Sequence, residues 1–181
     1  MHPHVTDVFT RLDQARATLS AAVDAVPAHL RGQRPGADRW SVAEVLEHLS
    51  LVEKRFAGVV ATAIAKARDA GLGAETGARA PFPEKVSRRM RDRTERRPAP
   101  DAVQPSGSVD ADTAWSACEH SRQLLRATIT DADGLALSQV VQDHHLWGPL
   151  DMYHWVELAA DHQRRHADQI REVADHFGGS R

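Results

Sequence analysis

A single cysteine, Cys118, among 181 residues leaves this chain no internal disulfide and fits a reducing compartment. Aromatic residues make up only 5% while alanine and arginine are abundant, a balance that favours helix over sheet. No apolar run approaches the length that spans a bilayer. The N-terminal Met-His-Pro-His-Val-Thr-Asp lacks the basic and then apolar regions of a signal peptide. A formal charge of −2 gives no global attraction to nucleic acid or to an anionic membrane. These absences lead us to expect a cytoplasmic protein, one domain over residues 1–181, with neither membrane nor nucleic acid as partner.

What is plentiful is histidine, with 11 copies. Two of them, His162 and His166, sit four residues apart within a helical pattern, so both imidazoles leave the same side. In a chain this rich in histidine such a pair can arise by chance, and its meaning depends on what else the chain brings to it.

Four amphipathic helices are predicted. The first runs from Val5 to about Val26 on the stripe Val5, Val8, Phe9, Leu12, Ala15, Leu19, Ala22, Val23 and Val26, and Pro27 ends it. Residues 27–39 read as a loop. The second opens on the capping box Ser41-Val-Ala-Glu44 with Trp40 before it as a staple, and fades near Ala70. His48 lies three residues after Val45 and four before Val52, at the edge of its apolar face. The third is capped by Asp110 or Asp112, and its expected buried face includes Ala114, Cys118, Leu124, Leu125 and Ile129. The turn Asp131 to Gly134 closes it. The fourth is capped by Asp151 and continues to about His176, ahead of Gly178 and Gly179, with the two histidines in the middle of an apolar line. No strand-length run alternates with period two.

Residues 71–109 form a long, Pro- and Gly-rich connection between helices two and three, carrying the basic run Arg88 to Arg97. A solvated charged loop, with room for a short helix, is the simplest reading of that run; an anion- or nucleic-acid-binding patch is the alternative. The fold class is therefore all-α, an antiparallel four-helix bundle with a long irregular second connection.

Bundle cores are where facing helices assemble metal sites. His162 and His166, faced by His48, would offer three neutral imidazoles, a set that suits Zn²⁺, Ni²⁺ or Fe²⁺ better than Ca²⁺ or Mg²⁺. Three protein ligands leave a position open, where a water or thiol would lose its proton more readily. Gln169 follows His166 by one turn, within reach of a supporting hydrogen bond. Cys118 reads as a small core residue, Arg165 as a solvent or dimer contact, His120 as a weak ligand candidate, and His2, His4, His29, His145 and His176 as surface residues.

The segment Trp40-Ser-Val-Ala-Glu-Val-Leu-Glu-His48-Leu49 resembles the second-helix motif of the DinB-like superfamily. Gly148-Pro-Leu150 and Trp155, followed by His162-Gln-Arg-Arg-His166-Ala-Asp-Gln169-Ile170, is similar to its fourth-helix signature. The likeness spans nearly the whole chain. It implies a four-helix bundle in which His48, His162 and His166 bind a divalent metal, with His144 lining or supporting the site. It also implies a homodimer and a small-molecule substrate. Characterised members are thiol S-transferases and isomerases using low-molecular-weight thiols. The expectation is a metal-dependent transferase or hydrolase; the alternative is a non-catalytic metal-binding or stress-response bundle with the Arg-rich loop as an interaction surface. Two departures from the family pattern are His154, where an acid is common in the first turn, and the strongly basic run.

Overall fold

The four predicted helices are all present in a computed structural model, which describes residues 1–94 and 97–178; Glu95 and Arg96 of the basic run, and Gly179 beyond the last helix, lie outside the described residues. The long helices are α1 (Pro3–Asp24), α2 (Val42–Asp69), α4 (Ala111–Thr130) and α5 (Met152–His176), and a short α3 (Glu84–Arg91) lies in the second connection. The chain is thus mostly helical. α2 packs most extensively on α4, α1 on α5, and contacts between α2 and α5 join the two pairs.

Local chemistry explains where three of the long helices begin. Ser41 Oγ accepts from the Glu44 amide at 3.2 Å and Glu44 Oε2 accepts from the Ser41 amide at 2.9 Å, closing the expected capping box. The Glu44 carboxylate is also held by Arg34. At the start of α4 Asp110 takes the Asp112 and Thr113 amides, and at the start of α5 Asp151 takes the His154 amide at 2.8 Å. Every apolar position of the predicted α1 stripe is buried, from Val5 through Val26.

On α4 the predicted face needs correcting. Leu124 is exposed, whereas Arg122 is buried and reaches Asp13 of α1 with its guanidinium. The rest of the predicted face, Ala114, Cys118, Leu125 and Ile129, is buried as expected; Arg122 joins its edge because an arginine stem can lie along apolar neighbours while its head finds a carboxylate.

The chain before α5 also differs from expectation. It forms an antiparallel hairpin, β1 (Val141–His144) with β2 (Gly148–Asp151), pairing Val141 with Asp151 and His144 with Gly148. Gly148 adopts φ +73°, which a side chain would resist, and so lets the three-residue turn close. Asp151 is both the last residue of β2 and the cap of α5, so the hairpin delivers its turn directly beside the helix that carries His162 and His166.

The basic connection is docked, not merely solvated. Arg165 of α5, expected at a solvent or dimer surface, is buried and donates to the Met90 carbonyl at 3.3 Å and to the Asp92 carbonyl. Arg93 makes a two-pronged ion pair with Glu172, at 2.7 and 2.8 Å. Arg89 and Arg97 lie over the Trp147 ring, 5.9 and 5.7 Å from its centroid. These residues therefore form a wall between α5 and the hairpin.

Candidate metal centre

His48 comes from the face of α2 one turn beyond Val45, and His162 and His166 from consecutive turns of α5. One ring nitrogen from each lies within 4.8 Å of the others, and all three residues are buried. The Nε2 atoms of His162 and His166 are 3.1 Å apart. Two nitrogens each about 2.0–2.1 Å from one Zn²⁺ can have such a separation.

The opposite side of each ring decides which nitrogen is free. His48 Nδ1–H donates to the Val103 carbonyl at 2.7 Å, and His166 Nδ1–H donates to Gln169 Oε1 at 2.8 Å. Both rings therefore present Nε2 as a lone pair, the tautomer a metal ligand needs. Gln169 thus makes the hydrogen bond to His166 that its spacing allowed. Its Oε1 is oriented in turn by Arg93, at 3.4 Å. The buried Nδ1 of His162 has no partner among the described residues, an unspent hydrogen-bonding position inside the site.

Burial lowers the pKa of all three imidazoles. For His48 the Val103 bond works against that effect. His162 and His166 fall well below the ordinary histidine value, burial being the main cause, with the mutual presence of the other imidazoles adding to it. All three are thus neutral at pH 7, the state in which imidazole binds metal. The donor set, its tautomers and its protonation fit a divalent transition ion.

A cavity of about 850 Å³ opens onto the three histidines, at the upper end of the size typical of small-molecule sites. Its apolar walls include Val52 and Phe56 of α2, Met90 of α3 and Trp147 of the hairpin. Trp40 stands at the histidine end, its ring 5.0 Å from that of His48. His144 lines the cavity without joining the triad; its ring is 5.3 Å from Trp155 and 6.0 Å from Phe56. Its Nδ1 accepts the Leu146 amide at 3.1 Å, which places the proton of the neutral ring on Nε2. Burial, aided by His145, pushes its pKa down to about 4, so His144 is neutral at pH 7.

The remaining candidates are scattered. His120, His29, His145 and His176 are exposed. His2 and His4, expected at the surface, are half-buried, and His4 Nε2 meets the Gly77 carbonyl at 3.0 Å. Cys118 is buried, and burial raises its thiol pKa well above the ordinary value, which disfavours the nucleophilic thiolate. Val103 and Arg93 were not singled out in the sequence. Their roles come from a backbone carbonyl and a docked loop, neither of which leaves a periodic signal.

Replacing Gln169 by leucine is expected to lower metal affinity about 10- to 100-fold, the usual cost of losing an orienting partner. Competition with a chromogenic chelator measures this, and unchanged affinity would show that His166 needs no such support.

The DinB superfamily profile matches residues 11–170. Over 144 residues, 79% of this chain and 82% of the relative, the sequence is 24% identical to the Bacillus subtilis (strain 168) protein YuaE, which is described as uncharacterized. No solved structure matches the chain significantly. With the profile covering α2 and most of α5, and with the histidine triad carried on those same two helices, the chain belongs to the DinB superfamily.

Proposed function

We propose that this protein is a divalent-metal-dependent transferase or hydrolase, with His48, His162 and His166 holding Zn²⁺, Ni²⁺ or Fe²⁺ and leaving a position open to the cavity. The observation that carries the reading is the meeting of three buried, neutral imidazoles within 4.8 Å at one end of a cavity large enough for a small molecule. A purely structural site would have no use for that space. When bound, the ion supplies Lewis acidity, making a water or a low-molecular-weight thiol a better nucleophile at neutral pH.

The chain's own residues do the rest. Val103 and Gln169 fix the ring orientations of His48 and His166. Phe56 and Met90 keep the adjoining space apolar, which strengthens electrostatic interactions there. His144 offers Nε2–H as a hydrogen-bond donor at the cavity wall. The setting we infer is a cytoplasmic homodimer acting on a small molecule, with α1, α2, α4 and α5 as an antiparallel four-helix bundle.

The test is loading. Full-length protein stripped with a chelator and dialysed against Zn²⁺, Ni²⁺ or anaerobic Fe²⁺ should retain about one equivalent of at least one ion per chain, counted by elemental analysis. Failure to retain any of the three removes the proposal.

A further inference from the structure

The lining of the cavity is also strongly basic. Among the described residues that line it, five are arginines (Arg39, Arg55, Arg93, Arg97 and Arg165) and two are carboxylates (Asp38 and Glu172). Glu172 is already engaged by Arg93 and Arg39. Arg55 and Arg97 make no ion pair among the described residues. Arg55 is exposed on α2, next to Phe56; Arg97 is half-buried and lies against the face of Trp147.

These cations are not simply dispersed into solvent. Arg93, Arg97 and the buried Arg165 line one cavity together. Like charges brought together beside an apolar cavity repel one another unless an anion offsets them. The buried indole Nε1–H of Trp147 also lacks an acceptor among the described residues. Guanidinium forks match carboxylate and phosphate oxygens in shape, and Trp147 gives the attached apolar body a surface to lie on.

Resting on the reading of the histidines as the reaction centre, we infer that the substrate or co-substrate is an amphipathic oxyanion, its carboxylate or phosphate held by Arg55 and Arg97 and its body reaching along the cavity to the histidines. The spacing sets its length. Arg55 follows His48 by seven residues on the same face of α2, about 10 Å along the axis at 1.5 Å per residue. Val52 and Phe56 line the path between and beside them.

Calorimetric titration of chelator-treated full-length protein with 1-naphthoate, 1-naphthyl phosphate and neutral 1-naphthalenemethanol tests the inference. At least one anion should bind about tenfold or more tightly than the alcohol, the expected scale for one charge-assisted contact. The better of the two identifies the head group. In Arg55→Ala/Arg97→Ala that preference should fall to about twofold or less. Unchanged affinity for the alcohol would show that the cavity is intact, and the single Arg55→Ala variant, altered only at an exposed side chain, should show part of the loss. Equal binding of all three probes to the parent protein, absence of binding by both anions, or a preference that survives the double substitution would overturn the inference. Because no metal is present in these titrations, their failure is separate from a failure of metal loading.

Discussion

Replacing His162 by alanine should weaken metal binding by more than about 100-fold, a larger loss than removal of an orienting partner produces. The imidazole lies 3.1 Å from His166 by Nε2 and is buried and neutral, so at the proposed site its removal would take away a ligand, not a peripheral contact. Two histidines would remain, each still held by its own hydrogen bond to Val103 or Gln169. Chelator competition should therefore report weak residual binding in His162→Ala and a similar loss in His48→Ala. His120→Ala, altered at an exposed site outside the cavity, is the matching control and should bind as the parent does. Affinities within about tenfold for all three variants would place any bound metal elsewhere. Replacing His162 by glutamine keeps more of the volume and should give the same ranking if ligation, not packing, is responsible.

Exchanging Glu53 for glutamine should make the protein more stable at alkaline pH and change how stability depends on pH. Glu53 is fully buried on α2, accepts from Gln163 Nε2 at 2.6 Å, and leaves Oε2 without a partner among the described residues. Burial pushes its pKa up from 4.5 to about 8, a rise eased only in part by Gln163 and Arg122. Above pH 4.5 the unfolded chain has released this proton while the folded one still holds it. The folded state then binds the extra proton, so stability falls as pH rises from about 4.5 to about 8 and levels off beyond. In Glu53→Gln that contribution is gone. A gain of about 2–4 kcal/mol over the parent is expected at pH 8.5, shrinking towards zero near pH 5. The depressed imidazole pKa values act in the opposite direction, costing stability as pH falls below the ordinary histidine range. They are common to both proteins and drop out of the difference. Urea denaturation of metal-free samples at the two pH values supplies the measurement, and identical pH slopes would refute this account of Glu53.

Three of the long helices were legible because each combines a cap with a 3.6-residue apolar period, Ser41 and Glu44 before Val45, Asp110 before Ala114 and Asp151 before Met152, while α1 was legible from its apolar stripe and Pro27. The triad was legible for the same reason, since His48, His162 and His166 interrupt apolar stripes whose inward direction the neighbours declare. Glu53 was not, because a carboxylate on a helix face ordinarily marks solvent, and only the completed packing shows it to be enclosed. The hairpin escaped notice because its four-residue strands have no clear period-two alternation, and one of them contains Pro149. Arg122 and Leu124 exchanged places for a related reason. The burial of Arg122 at the edge of the α4 face goes with a carboxylate partner, Asp13, more than a hundred residues earlier in the chain.

The shortest α-helix has a consequence for how the cavity comes into being. α3 has eight residues, well short of the roughly 12–15 at which an isolated helix becomes even marginal in water. Its carbonyl at Met90 and the next beyond its end, at Asp92, receive the Arg165 guanidinium from α5. That side chain does for α3 what a local capping sequence does elsewhere. α3 thus has no autonomy as a folding unit: a peptide of residues 84–91 should be unstructured, and this part of the wall appears only once α5 is in place.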